Sequence, residues 1–169
     1  MCCLAVCGVL CSGGANSCRP FRCAECRWCL KRRRMLLYSA RDLLPPGPDI
    51  LTGYGLLDSA AALAADPAFF IEARISGVQV TKRDGKTWVQ VLGSADADAF
   101  ADAGLRLGAG ESPATWQAAG EHLERPVRNG VLAELDAQAL AVQPRWTLQL
   151  DVRHRDGRQR TAQFDLKLR

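Results

Sequence analysis

The sequence predicts a mainly β protein: an antiparallel β-sandwich preceded by two short α-helices and by a poorly ordered N-terminal segment. Three observations lead there. Apolar and polar residues alternate with a period of two through much of residues 69–169, the pattern of a strand with one buried face. Asp-Gly pairs at 84–85 and 156–157 each join two such runs, a strong hairpin signal because both turn positions must accept positive φ. All eight cysteines lie within the first 29 residues, so the rest of the chain folds by packing and not on a disulfide framework.

An apolar share of 48% with 24% charged residues is a globular composition, and 169 residues hold one ordinary domain, or one domain plus a fragment. The net charge of +4 is not spread evenly. Residues 1–34 carry seven basic side chains against the single acid Glu25, which leaves 15 basic and 17 acidic residues in 35–169. Basic character thus belongs to the front end alone, and no nucleic-acid partner is expected.

Residues 1–34 form a Cys/Arg-rich segment, expected to be disordered or to derive from a frame other than the native one, because Cys, Arg, Trp and Pro crowd together there without periodicity. Other readings stay open. The apolar start resembles a secretory signal but lacks a basic n-region, and it is too short to span a membrane. Cys23, Cys26 and Cys29 in CAECRWC have a spacing able to converge on zinc or an iron–sulfur cluster, yet no fourth ligand follows at matching spacing. Neither a metal nor a cofactor is therefore expected, and KRRR at 31–34 reads as a solvated segment.

Residues 35–67 change character. MLLYSARDL puts Leu36, Leu37, Ala40, Leu43 and Leu44 on one helical face. The following PPGPD stops that helix, since proline cannot continue it, and LLDSAAALAAD reads as a second helix ending near Asp66-Pro67. The whole stretch LLYSARDLLPPGPDILTGYGLLDSAAAL resembles the end of the catalytic domain of subtilisin-like serine proteases. Ser39, Ala40, Arg41, Asp42, Leu43, Pro46, Gly47, Asp49, Thr52, Gly53, Tyr54, Gly55, Leu56, Leu57, Asp58, Ala60, Ala61, Ala62 and Leu63 carry the likeness. It implies a parent protein that cleaves polypeptide substrates outside the cytoplasm, secreted or in the cell envelope.

The chemical groups of that family are not matched here. Its mechanism needs an Asp to orient a His, a His to deprotonate a Ser, and a donor for the oxyanion. The two histidines, in GEHLE and RHRDG, lack the family's HGT setting, and no serine lies in a GTS-x-A loop. No catalytic residue is assigned. Ser112 in AGESPAT reads as a solvated turn hydroxyl, His122 as a polar-loop residue, and His154 as an exposed residue near a hairpin tip.

In residues 69–169, Trp146, Leu148, Leu150 and Val152 share one parity, with Thr147, Gln149 and Asp151 on the other. Phe164, Leu166 and Leu168 match them across the second Asp-Gly. FIEARISGVQV alternates less cleanly. Two hairpins with one apolar face each need a second sheet over them. Gly110, Pro113, Trp116, then Asn129, Gly130, Leu132, Ala133, Asp136, then Trp146, Thr147, Leu148, Leu150, Val152 and Gly157 resemble the immunoglobulin-like modules appended to bacterial secreted proteases. That resemblance makes the sandwich immunoglobulin-like. Trp88, Trp116 and Trp146 are expected as packing residues in preference to a carbohydrate-stacking platform.

The expected organisation is therefore 1–34, then 35–67 as the remnant of a catalytic domain, then 69–169 as the sandwich. The function it implies is that of a C-terminal fragment of a subtilisin-like endopeptidase, inactive alone. The alternative is an extracellular binding or structural module. No membrane span is expected, and the oligomeric state is not fixed by the sequence.

Overall fold

The computed structural model describes residues 27–43, 46–49 and 51–168, with the backbone alone for 27–30. Three short helices, α1 (Arg27–Ser39), α2 (Ser59–Ala64) and α3 (Ala137–Leu140), accompany seven strands: β1 (Ile71–Arg83), β2 (Lys86–Ala97), β3 (Phe100–Ala109), β4 (Gln117–Ala118), β5 (Val127–Asp136), β6 (Arg145–His154) and β7 (Gln159–Lys167). They form two antiparallel sheets, β1-β2-β5 and β4-β3-β6-β7. The sheets face each other as a sandwich, with β1 over β7 and β6. Lettered A to G, the sheets are A-B-E and D-C-F-G. This order differs from the immunoglobulin constant order, A-B-E-D and C-F-G, in the sheet that holds the fourth strand.

The alternating residues supply the core. Leu148, Leu150 and Val152 of β6 have no exposed surface, nor has Val91 of β2. Register pairs Trp146 with Leu166, Leu148 with Phe164 and Leu150 with Ala162, as the matched parities require. The imperfect alternation of β1 has a local cause. A bulge between Ile75 and Gly77 shifts the pairing with β2, so Ile71, Ala73 and Ile75 point inward before it and Val78 after it. Asp84 and Gly85 both take positive φ, 53° and 75°, the tight turn expected between β1 and β2.

The second Asp-Gly behaves differently. Only Gly157 has positive φ there, at 90°, and residues 155–158 make a longer loop closed by Gly157 N donating to His154 O at 3.0 Å. The extra length lets the inward parity of β6 run one step further. His154 is consequently buried, only 8% exposed, which corrects the expectation of an exposed hairpin-tip residue.

The leading helix also departs from expectation. It runs from Arg27 to Ser39, so it crosses the compositional change at Met35 and ends before Leu43. The Ser39 hydroxyl donates back to Met35 O, and residue 41 already pairs elsewhere. Arg41 and Leu56 exchange two backbone hydrogen bonds of 2.8 Å each, which close a loop between these two positions. Gly55 is required at this closure: its φ is 94°, and a Cβ would lie 2.3 Å from Arg41 O. Asp49 accepts from the amides of Leu51 and Thr52 at 2.6 and 2.7 Å, and Asp58 caps α2 through the Ala61 amide at 2.9 Å. The loop rests on the free edge of β7, where Pro46 O accepts from Gln163 N at 2.8 Å and Gly47 packs on Ala162. An otherwise open strand edge is covered there.

Candidate functional site

Most residues that carry the immunoglobulin-like resemblance hold the sandwich together. Trp146 is buried and its Nε1 donates to Leu140 O at 2.8 Å. Asp136 caps α3 by accepting from Gln138 N at 2.8 Å. Thr147 Oγ1 donates to Gly110 O at 2.6 Å, Pro113 packs over Gly108, and Leu132 and Ala133 are in the core. The three tryptophans do not share a surface: Trp146 is inside, and Trp88 and Trp116, both half-buried, flank different sheets.

A groove of about 430 Å³ lies instead on the outer face of the four-stranded sheet. Its floor follows from register. Asp102 of β3 is opposite Arg153 of β6, and Gly104 is opposite Asp151. Arg153 Nε donates to Asp102 Oδ1 at 2.8 Å, and His122 Nε2 sits 3.3 Å from the same oxygen. Arg106 Nε donates to Asp151 Oδ2 at 2.9 Å, while Thr161 Oγ1 donates to Asp151 Oδ1 at 2.6 Å. These cross-strand pairs fix the side chains on the outer face.

One wall is the chain just after β4. Ala119 N donates to Leu105 O at 2.8 Å, and Leu123 exchanges bonds of 2.8 and 2.9 Å with Ala103. Between these anchors the chain bows outward and brings His122 over Gly104, its Nδ1 3.5 Å from where a Cβ would stand. Sequence reasoning placed Asp151 on an outward parity and His122 in a polar loop. It did not bring them together with Asp102, Arg106 and Arg153, because only the pairing of β3 with β6 does so.

A second cleft, of about 450 Å³, separates α1 and the 41–56 loop from β7. It is bordered by stacked aromatic and guanidinium groups. Arg158 lies 3.5 Å above the Phe69 ring, Arg34 lies 3.6 Å above Phe70, and Arg160 lies 5.0 Å from the centre of Tyr38. The Arg34–Phe70 and Arg160–Tyr38 contacts bind the helix to the sandwich. Burial, and secondarily the charge of Glu72, pushes the Tyr38 phenol well above its usual range.

His154 is held between two carboxylates, with Nδ1 2.7 Å from Asp156 Oδ1 and Nε2 3.4 Å from Asp98 Oδ1. Its ring meets Phe69 edge-on at 5.1 Å. Among the described residues neither histidine has a serine hydroxyl as hydrogen-bond partner. Ser112 is exposed, and Ser94 bonds to Asn129. The groove that holds His122 with Asp102 is lined by no serine or cysteine. Cys23 and Cys26 lie outside the described residues, and of Cys29 only the backbone is described. Among the described residues no group of three or more His, Cys, Asp or Glu side chains is placed to hold a metal ion, and no helix is long and apolar enough to cross a membrane.

A scan against protein-family models, a search of curated proteins and a search of solved structures each return no match to this chain.

Proposed function

We propose that the chain is a non-catalytic C-terminal region of a secreted subtilisin-like endopeptidase. On this reading residues 35–67 form the closing element of the catalytic domain, and residues 69–169 are an appended sandwich. The observation that carries the reading is the placement of uncovered leucine. Among the described residues Leu36, Leu43, Leu51, Leu56, Leu57 and Leu63 are exposed, with Leu51 at 83% and Leu63 at 86%, whereas the sandwich exposes only Val80, Val131 and Val142 among its large apolar side chains. Single exposed apolar residues are ordinary, but a concentration within one segment marks a surface that another body covers. In a subtilisin-like protein that body is the remainder of the catalytic domain.

The test is the fluorescence of a hydrophobic dye such as ANS with the purified chain, compared with the variant carrying Leu51→Ser, Leu56→Ser, Leu57→Ser and Leu63→Ser. The reading predicts strong dye binding that the variant loses, with thermal stability nearly unchanged, since exposed substitutions shift stability by about 0.5 kcal/mol or less each. Dye binding that survives in the variant would contradict it.

A second reading, a binding module, is favoured by one separate observation: the prearranged polar groove on the outer sheet face. The two are compatible within one protein.

A further inference from the structure

We propose that the outer-face groove binds a neutral, hydroxyl-rich ligand, an oligosaccharide chain, held between the Arg106–Asp151 pair and the Arg153–Asp102–His122 cluster. This rests on reading the sandwich as a binding module, and it names the ligand class of that site.

Charge balance selects the ligand. The ionic side chains of the lining are Asp102, Asp151 and Glu121 against Arg106 and Arg153. Each guanidinium is already matched by a carboxylate. A phosphate or an acidic polymer needs cations in excess, and the groove has none; a polycation needs a cluster of unmatched carboxylates, and Glu121 alone is left over once the two pairs are formed. What it offers is donors and acceptors side by side. Asp102 engages Arg153 through Nε alone, and the pairing of Arg106 with Asp151 uses Nε and Nη2. A guanidinium carries five N–H donors, so each keeps N–H groups that these pairs do not consume. Vicinal hydroxyls, each both donor and acceptor, complement such alternation.

Shape agrees with this choice. The volume of about 430 Å³ falls within the range of small-molecule sites, about 300–1,000 Å³. Gly104 leaves open the space beneath the His122 ring that a side chain would fill. The half-buried indole of Trp116 lies beside Arg106, its ring centre 6.0 Å from the guanidinium carbon. Because the carboxylates are held by Thr161, Arg106 and Arg153 before any ligand arrives, little ordering remains to be done on binding.

The experiment is amide NMR titration of the full chain with soluble neutral hexasaccharides (cello-, xylo-, malto- and chitohexaose), with polygalacturonate and inorganic phosphate as anionic controls. The expected result is saturable shifts with at least one neutral hexasaccharide, clustered at residues 102–106, 118–123 and 149–153. Affinity should fall about tenfold or more in Arg153→Ala and in Gly104→Val, about 1.4 kcal/mol for each factor of ten. Both variants should keep the amide spectrum elsewhere, which shows that they fold. Absence of shifts with all four sugars, shifts clustered away from the groove, or binding only to the anionic probes would overturn the proposal. None of these outcomes bears on the leucine-rich segment, whose test reads a different surface.

Discussion

Arg145 sits where three chain segments meet: Nη1 reaches Glu111 at 2.7 Å, while Nε and Nη2 hold the two oxygens of Asp165 at 2.8 and 2.7 Å. Hydrogen bonding to Arg145 is the leading cause that holds the Asp165 carboxyl below the ordinary carboxylate range. A carboxyl depressed in the folded state contributes stability that is present above its unfolded value, about 3.9, and that is lost as pH falls through the folded value. Arg145→Ala should therefore lower the urea midpoint at pH 7, and the gap to the parent protein should close progressively below about pH 4. A gap of unchanged size at pH 2 would show that Arg145 acts through packing and not through charge. The residues that sequence reading singled out divide along the same physical lines. Trp146 was legible as a packing residue because it shares the apolar parity of its strand, whereas the cap that Asp136 makes and the bond from the Thr147 hydroxyl to Gly110 were not read from the sequence. Asp102 and Arg153, 51 positions apart, have none, since their encounter depends on register.

Closure of residues 41–56 is the part of the fold most exposed to a single change. Gly55→Ala would place a methyl group against Arg41 O at a position whose φ already excludes most side chains. The expected cost is about 1–3 kcal/mol of local stability, and the loop should open while the sandwich stays closed. Limited proteolysis checks this: cleavage within 41–56 should accelerate in the variant, with a resistant fragment near residues 69–168 in both proteins. Equal cleavage rates would mean that the Arg41–Leu56 pairing does not hold the loop. Strand patterns predicted β2, β6 and β7 well, because each carries alternation over many residues, while the bulge between Ile75 and Gly77 left β1 less clearly marked. They did not predict α3, whose four residues are shorter than any helical period can display, nor the early end of α1. Periodicity continued to Leu44, but the pairing of Arg41 with Leu56 competed for the backbone and won.

Two levels of order coexist in the chain. The sandwich closes its own core with Leu148, Leu150, Val152 and Val91 wholly inside. The leading segment leans on it through Pro46 and through the Arg34–Phe70 and Arg160–Tyr38 contacts yet leaves its leucines in water. The two-sheet architecture was legible from alternation alone. The assignment of strands to sheets was not, because β2 joins β5 and β3 joins β6 across long intervals of sequence, and such pairings follow from which faces must be buried together. Function divides in the same way. The geometry places His122 with Asp102 and His154 between Asp98 and Asp156, with Ser112 exposed elsewhere, so a proton relay to a nucleophile has no path among these groups. Casein hydrolysis by the purified full chain is the decisive measurement. The proposed non-catalytic role predicts no turnover above buffer; turnover that vanishes in Ser112→Ala, His122→Ala or His154→Ala would contradict it.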